Sequence, residues 1–213
     1  MERLRREGVA LAYAEAGSGA PPLLLVHCWC GGHTHLASQF DYFRRTHRVV
    51  AVDLRGHGAS DKPVQEYTVA EFADDLAWLC DQLHVVKPVV VGHSMGGNVA
   101  FELARRHPDL PAAVVALDSA IVRPDWLVPE ARQHAAGLRG PDYQEVQRRY
   151  AEEFFLPTDE SHLKARLIAG CRRSRSTCDA VRLGAALAGL GGGGGGRGLP
   201  GASAPHQFRD AAV

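Results

Sequence analysis

Four short runs of almost continuous apolar residues alternate with amphipathic segments, and this pattern most constrains what the chain can fold into. The runs cover residues 22–27, 47–54, 87–93 and 112–120. The segments between them, residues 35–45, 68–84 and 95–108, place apolar side chains at helical spacing. Strands that are apolar throughout are typical of a parallel sheet covered on both faces. We therefore predict an α/β fold, with a mostly parallel sheet, helices on both faces and an edge strand over residues 8–17.

The chain divides into three regions of different character. Residues 1–123 carry the alternation, whereas residues 124–170 hold helical candidates without strands. These helices are interpreted as a lid over an active site or, alternatively, as helices that only pack on the sheet. Residues 171–213 contain six arginines, two aspartates and a six-glycine run, but no lysine or glutamate. Such a composition buries too little apolar surface to offset chain entropy, so we expect a disordered tail. The abrupt change is typical of a truncated or frame-shifted reading of a longer protein.

Composition and charge exclude several classes of partner. The net charge is zero with histidine neutral, which favours neither nucleic acid nor an anionic membrane surface. The apolar runs are far shorter than the roughly 20 residues that span a bilayer, and no apolar core follows the charged N-terminus. Cys28 and Cys30 have no second pair of metal ligands. We expect a cytoplasmic protein that acts on a small molecule, with no metal and no cofactor.

The segment Gly92-His93-Ser94-Met95-Gly96 follows the third apolar run and precedes a helical segment. A serine between two glycines at such a junction is typical of a sharp strand-to-helix turn that exposes a nucleophile. The N-terminus of the following helix directs free N–H groups and partial positive charge towards a developing oxyanion. Ser94 is therefore the candidate nucleophile, although the same spacing also occurs in purely structural turns.

Three segments, residues 23–32, 49–63 and 89–100, resemble the α/β-hydrolase fold family in sequence and in order. The resemblance implies the esterase- or lipase-like branch with a serine nucleophile, and an oxyanion hole formed by the backbone N–H groups of Trp29 and Met95. His27-Cys28 stands where the family usually has His-Gly. Because cysteine enters glycine-only backbone conformations at a cost, we expect a shifted loop or a narrowed pocket here. His27 and His93 are interpreted as structural, as is the turn that contains Asp53, His57 and Asp61.

The same resemblance implies a carboxylate and a histidine later in the chain, in the order serine, acid, histidine. In the family the acid usually follows the strand after the lid, and the histidine follows the next strand. Neither strand is recognisable after Gly170, so the C-terminal strands of the sheet are expected to be missing. Asp118, at the end of the fourth apolar run, is the candidate acid or else a bystander. His206 is the candidate base, although its neighbours are typical of a flexible tail.

Three functions remain open from the sequence. The first is an esterase-type hydrolase that works through Ser94 and an acyl-enzyme. The second is a hydrolase-like remnant without catalysis that binds a small apolar ligand, and the third is a cofactor-free peroxidase. A serine in place of a carboxylate at position 94 argues against epoxide hydrolase or dehalogenase chemistry.

Overall fold

The computed structural model describes residues 1–63, 65, 67–121 and 142–153, together with 155, 158, 161, 162, 164, 165 and 168. The strands are β1 (Glu2–Arg6), β2 (Val9–Ala16), β3 (Leu23–Val26), β4 (Val49–Asp53), β5 (Val89–His93) and β6 (Ala113–Leu117). The α-helices are α1 (Ala37–Phe43), α2 (Val69–Gln82), α3 (Met95–Arg106) and α4 (Tyr143–Glu153). A 3₁₀ helix, His33–Leu36, precedes α1.

The strands form one mixed sheet in the order β1-β2-β4-β3-β5-β6. β1 and β2 pair antiparallel with their neighbours, whereas β4, β3, β5 and β6 run parallel. The carboxyl ends of parallel strands meet at one edge of a sheet, which is where open α/β sheets place their ligands. Here that edge brings together the segments that follow Val26, Asp53, His93 and Leu117.

Helices cover both faces of the sheet, as predicted. The larger apolar cluster joins inward residues of β3, β4 and β5 to α2 and α3, with Phe72, Leu76 and Leu103 fully buried. A smaller cluster on the opposite face packs Phe40 and Phe43 of α1 against β3 and β4. The α/β class and the mostly parallel sheet are therefore confirmed.

The sequence prediction was wrong about the position of β2 in the sheet and about the burial of β6. β2 is not an edge strand, because β1 pairs with it in the register Leu4↔Leu11. β6 lies at the edge of the described sheet, and four of its five residues are exposed. A strand that is apolar throughout was expected to be buried on both faces, and the exposure of β6 contradicts this. Its position at an edge, with β5 as its one neighbour within the described residues, agrees with the expected loss of the C-terminal strands.

The spacing of Thr68 and Glu71 in the sequence predicts a capping box at the N-terminus of α2, and the structure contains one half of it. Thr68 precedes the helix, and its Oγ1 accepts a hydrogen bond from the Glu71 backbone N–H at 3.0 Å. The Glu71 carboxylate accepts instead from the Arg55 guanidinium and from the Gln65 amide. The reciprocal half of the expected capping box is therefore replaced by a tertiary contact to the turn after β4.

The later regions of the chain are described only in part. Within the predicted lid, residues 124–170, the structure describes α4 and a few single positions. The predicted tail, residues 171–213, lies outside the described residues. None of the described helices combines the length and apolar character that a bilayer crossing requires.

Candidate active site

Ser94 occupies a strained turn between β5 and α3. Its backbone has φ 52° and ψ −117°, a left-handed conformation that residues with a side chain rarely adopt. Two backbone hydrogen bonds hold the turn: Ser94 N–H donates to Leu117 O, and Gly97 N–H donates to Ser94 O, both at 2.9 Å. The Ser94 side chain does not cap the helix that it precedes. The turn thus has the geometry that presents a serine hydroxyl at the carboxyl edge of the sheet.

The two glycines around Ser94 are required by close backbone contacts. A Cβ at Gly92 would overlap the carbonyl group of Gly96. A Cβ at Gly96 would overlap the carbonyl oxygens of Val26 and His27 at the end of β3. Any larger residue would therefore push α3 away from the turn or from β3. The G-x-S-x-G spacing is explained here by packing as well as by backbone conformation.

The same contacts bring the loop after β3, which carries Trp29, close to the first turn of α3, which begins at Met95. Met95 is the first residue of α3 and is buried. Trp29 lies in the loop that leaves β3 and packs against the larger apolar cluster. Because Gly96 lies directly against Val26 and His27, this loop passes beside the first turn of α3. The orphan N–H groups and the dipole of the helix N-terminus face the same edge.

The loop after β3 adopts its own tight conformation. The Cys28 carbonyl accepts hydrogen bonds from His27 Nδ1 at 2.7 Å and from Gly31 N–H at 3.0 Å. The residue with positive φ in this loop is Cys30, at 58°, rather than Cys28. The departure from His-Gly at position 28 therefore does not place a cysteine in a glycine-only conformation there. The strain lies two residues later.

A buried carboxylate links this loop to the turn after β4. Asp53 is fully buried, and its Oδ1 accepts from the His33 backbone N–H at 2.5 Å and from His33 Nδ1 at 2.9 Å. Its Oδ2 accepts from Ala59 N–H at 2.7 Å. Burial raises the pKa of Asp53, but the hydrogen bonds from His33 and Ala59 outweigh it and lower the pKa to about 2. Asp53 is therefore ionised at neutral pH.

Two buried histidines lie beneath the loop. His27 Nε2 accepts from Leu54 N–H at 3.0 Å, so its Nδ1 carries the proton that is donated to Cys28 O. His57 Nδ1 donates to Arg55 O at 2.9 Å, and the two rings lie 5.1 Å apart. Burial lowers the pKa of His27 to about 3 and that of His57 to about 4. Both rings are therefore neutral at physiological pH and are bound to the backbone, in agreement with their structural interpretation.

The structure places the predicted acid beside the nucleophile turn but in an exposed position. His93 and Leu117 are partners across β5 and β6, so Ser94 and Asp118 each follow one member of that pair. Asp118 has φ 45° and is exposed. The predicted base, His206, lies outside the described residues.

Several described histidines are bound to groups other than Ser94. These are His27 with Cys28 and Leu54, His33 with Asp53, His57 with Arg55, and His107 with Asp74. Sequence analysis assigned Asp53 to a structural turn and did not single out His33. The position of Asp53 at the end of a buried strand could have indicated that its carboxylate is important. Its partner could not be inferred from the sequence, because His33 lies 20 residues away.

Comparison with known proteins identifies the family. A family model described as the alpha/beta hydrolase fold matches residues 21–197. The chain belongs to the α/β-hydrolase fold family. The motifs at residues 23–32, 49–63 and 89–100 are therefore correctly interpreted as hydrolase-fold landmarks.

Similar hydrolases include more than one chemistry. The chain is 34% identical over 164 residues to 2-(acetamidomethylene)succinate hydrolase of Mesorhizobium japonicum, across 74% of this chain and 57% of that protein. It is 32% identical over 120 residues to epoxide hydrolase 3 of Xenopus tropicalis, across 55% of this chain and 33% of that protein. The chain thus spans less than two thirds of the length of these curated relatives.

Among solved structures, a thermophilic esterase from Thermogutta terrifontis superposes with a TM-score of 0.69 at 29% identity. The match covers 90% of this chain and 73% of the esterase. Hydrolases that are named for esters and for epoxides are both similar to this chain, so family membership alone does not choose the reaction.

Proposed function

We propose that this α/β hydrolase cleaves an ester-like bond of a small molecule through Ser94 and an acyl-enzyme. The observation that carries the proposal is the strained conformation of Ser94 at the junction of β5 and α3. A left-handed non-glycine residue costs on the order of 1–3 kcal/mol and persists where the surrounding structure imposes it. Here the contacts of Gly92 and Gly96 impose it, and they do so at the sheet edge that the family uses for chemistry.

In the proposed reaction, the Ser94 hydroxyl oxygen attacks the acyl carbon while a base accepts its proton. The oxygen of the acyl carbon becomes an oxyanion beside the N–H groups of Trp29 and Met95. The proton then passes to the leaving alcohol, and water releases the acid by the reverse sequence. We assign His206 as the base and Asp118 as the acid that orients it.

The residue type at position 94 favours esters over epoxides. A carboxylate nucleophile opens an epoxide to an ester intermediate, which water can hydrolyse. A serine oxygen would open the same ring to an ether, which leaves no acyl carbon for water to attack. The proposal therefore follows the esterase side of the family.

Labelling with a fluorophosphonate probe tests the assignment of Ser94. We expect rapid labelling of the protein and none of Ser94→Ala. Ser119→Ala is the matched control, because Ser119 lies beside the same turn and its hydroxyl donates to Leu117 O at 2.9 Å. Labelling that survives Ser94→Ala, or that is lost equally in Ser119→Ala, would contradict the assignment.

A second candidate function is ligand binding without turnover. It is favoured by the partners of His27, His33, His57 and His107, none of which is Ser94. A serine that lacks its base loses roughly 10⁴–10⁶ in turnover. A protein that is folded by circular dichroism but does not react with the probe would support this second function.

A further inference from the structure

The loop that carries Trp29 is attached to the rest of the molecule at both ends by histidines. At its start, His27 Nε2 accepts from Leu54 N–H at 3.0 Å, and its Nδ1 donates to Cys28 O at 2.7 Å. At its end, His33 binds the buried Asp53 carboxylate. Trp29 and the strained residue Cys30, with φ 58°, lie between these two attachments. A left-handed cysteine is an unfavourable conformation that the surroundings must maintain.

We propose that His33 is a positioning residue, held by Asp53, which fixes the loop over residues 28–32 so that the Trp29 N–H faces the oxyanion. This inference rests on the proposed function, because it assigns His33 a part in presenting an oxyanion donor. His33 acts through the loop and does not itself touch the substrate.

His33 contacts Asp53 through two donors, one in the backbone and one in the ring. Both the backbone N–H and the ring Nδ1 of His33 donate to the same oxygen of Asp53, at 2.5 and 2.9 Å. The carboxylate is fully buried, whereas the His33 side chain is 24% exposed. Hydrogen bonds to a buried ionised group are stronger than those between neutral groups. The bond from the ring to Asp53 therefore fixes the orientation of the His33 side chain.

Asp53 is in turn held from the opposite side. Ala59 N–H donates to its Oδ2 at 2.7 Å, and Gly58, with φ +49°, packs so closely that a Cβ there would overlap the carboxylate. A Cβ at Gly32 would lie 3.0 Å from Asp53 Oδ1. Glycine on both sides lets two chain segments contact one carboxylate. The loop after β3 is thus fixed to β4 through a group that has no room to move.

The test compares substitutions that differ in whether they retain the donor of the ring. His33→Asn places an amide N–H the same number of bonds from Cβ as Nδ1, whereas His33→Gln places it one bond further away. His33→Leu removes the ring donor and leaves the backbone N–H as the one contact of residue 33 with Asp53 Oδ1. The matched control is His107→Leu, which breaks another histidine–aspartate pair, His107 Nε2 to Asp74 Oδ1 at 2.9 Å, between α2 and α3.

The first readout is hydrolysis of p-nitrophenyl acetate, together with the rate of fluorophosphonate labelling. We expect His33→Leu and His33→Gln to lower kcat about 100-fold with little change in KM, as for loss of an oxyanion donor. His33→Asn should stay within about fivefold of the wild type, and His107→Leu should not differ from it. Equal losses in the Asn and Gln variants, or none in either, would overturn the proposal even if His33→Leu does not fold.

The second readout does not depend on activity. Hydrogen–deuterium exchange, followed by mass spectrometry, reports the protection of the amides of residues 28–32. We expect protection to fall in His33→Gln and to be retained in His33→Asn and His107→Leu. Unchanged protection in His33→Gln overturns the inference. A wild-type protein that does not hydrolyse the ester refutes the proposed function, while the exchange data still decide the role of His33.

Discussion

β4 and β6 are strands of almost the same composition in very different surroundings. β4 reads VVAVD, and all five of its residues are buried between β2 and β3. β6 reads AVVAL and is mostly exposed at the edge of the described sheet. An apolar strand sequence therefore indicates that the strand is suited to burial on both faces. What covers the strand is decided by its neighbours.

The aspartates that follow these strands differ in the same way. Asp53, at the end of β4, is buried and accepts three hydrogen bonds from His33 and Ala59. Asp118, directly after β6, is exposed. Of these two aspartates, Asp53 is buried and holds the loop beside Ser94, whereas Asp118 is exposed and is the proposed catalytic acid. Position after a strand does not by itself distinguish these roles.

The largest effect on stability is expected from Asp53→Asn. The asparagine side chain keeps one oxygen that can accept hydrogen bonds, but an NH₂ group replaces the other oxygen. The buried N–H of Ala59 or of His33 then faces this NH₂ group and loses its acceptor. Loss of a buried, charge-assisted network costs about 3 kcal/mol in the free energy of unfolding. Urea denaturation at pH 7 measures this change. A loss below about 1 kcal/mol would show that the carboxylate does not hold the two segments together.

Burial of the two strands themselves can be compared with Val52→Ala and Val115→Ala. Val52 is 1% exposed and Val115 is 40% exposed. We expect Val52→Ala to lower the free energy of unfolding by about 2 kcal/mol and Val115→Ala by about 0.5 kcal/mol, because the second leaves little cavity. Both are measured by urea denaturation. Equal losses would mean that β6 is covered in solution.

How far the sequence predicted this molecule depends on whether each feature is local. The turn around Ser94 and the Thr68 cap were predicted because their signals lie within a few neighbouring residues. β1 was not predicted, because Glu2–Arg6 is almost entirely charged and becomes a strand through its pairing with β2. The contact between His33 and Asp53 was missed for the same reason, since it joins residues far apart in the sequence.

The pH dependence of stability should report the buried region around β4. Burial lowers the pKa of His57 from 6.5 to about 4. Between these values the unfolded chain binds a proton that the folded protein does not, so stability is complete above pH 6.5 and falls as the pH decreases towards 4. From pH 7 to pH 4.5 this single group accounts for a loss of about 2 kcal/mol.

The variant that isolates this contribution is His57→Asn, which retains a donor towards Arg55 O but does not titrate. It should be less stable than the wild type at pH 7, because the ring contacts with His27 and Phe72 are lost. Its stability should change less between pH 7 and pH 4.5, as measured by urea denaturation across that range. If the free energy of unfolding falls with pH as steeply in the variant as in the wild type, groups other than His57 cause the acid sensitivity.

The smallest effect on stability is expected from Asp118→Asn. Because the side chain is exposed, the free energy of unfolding should change by less than about 0.5 kcal/mol. The proposed role as acid makes a separate prediction for chemistry, since an acid that orients a catalytic histidine contributes up to about 10⁴ in turnover. We therefore expect fluorophosphonate labelling of Ser94 to slow at least about 100-fold in a variant that is as stable as the wild type. Labelling at the wild-type rate would remove Asp118 from the reaction and leave the exposed end of β6 without a part in catalysis.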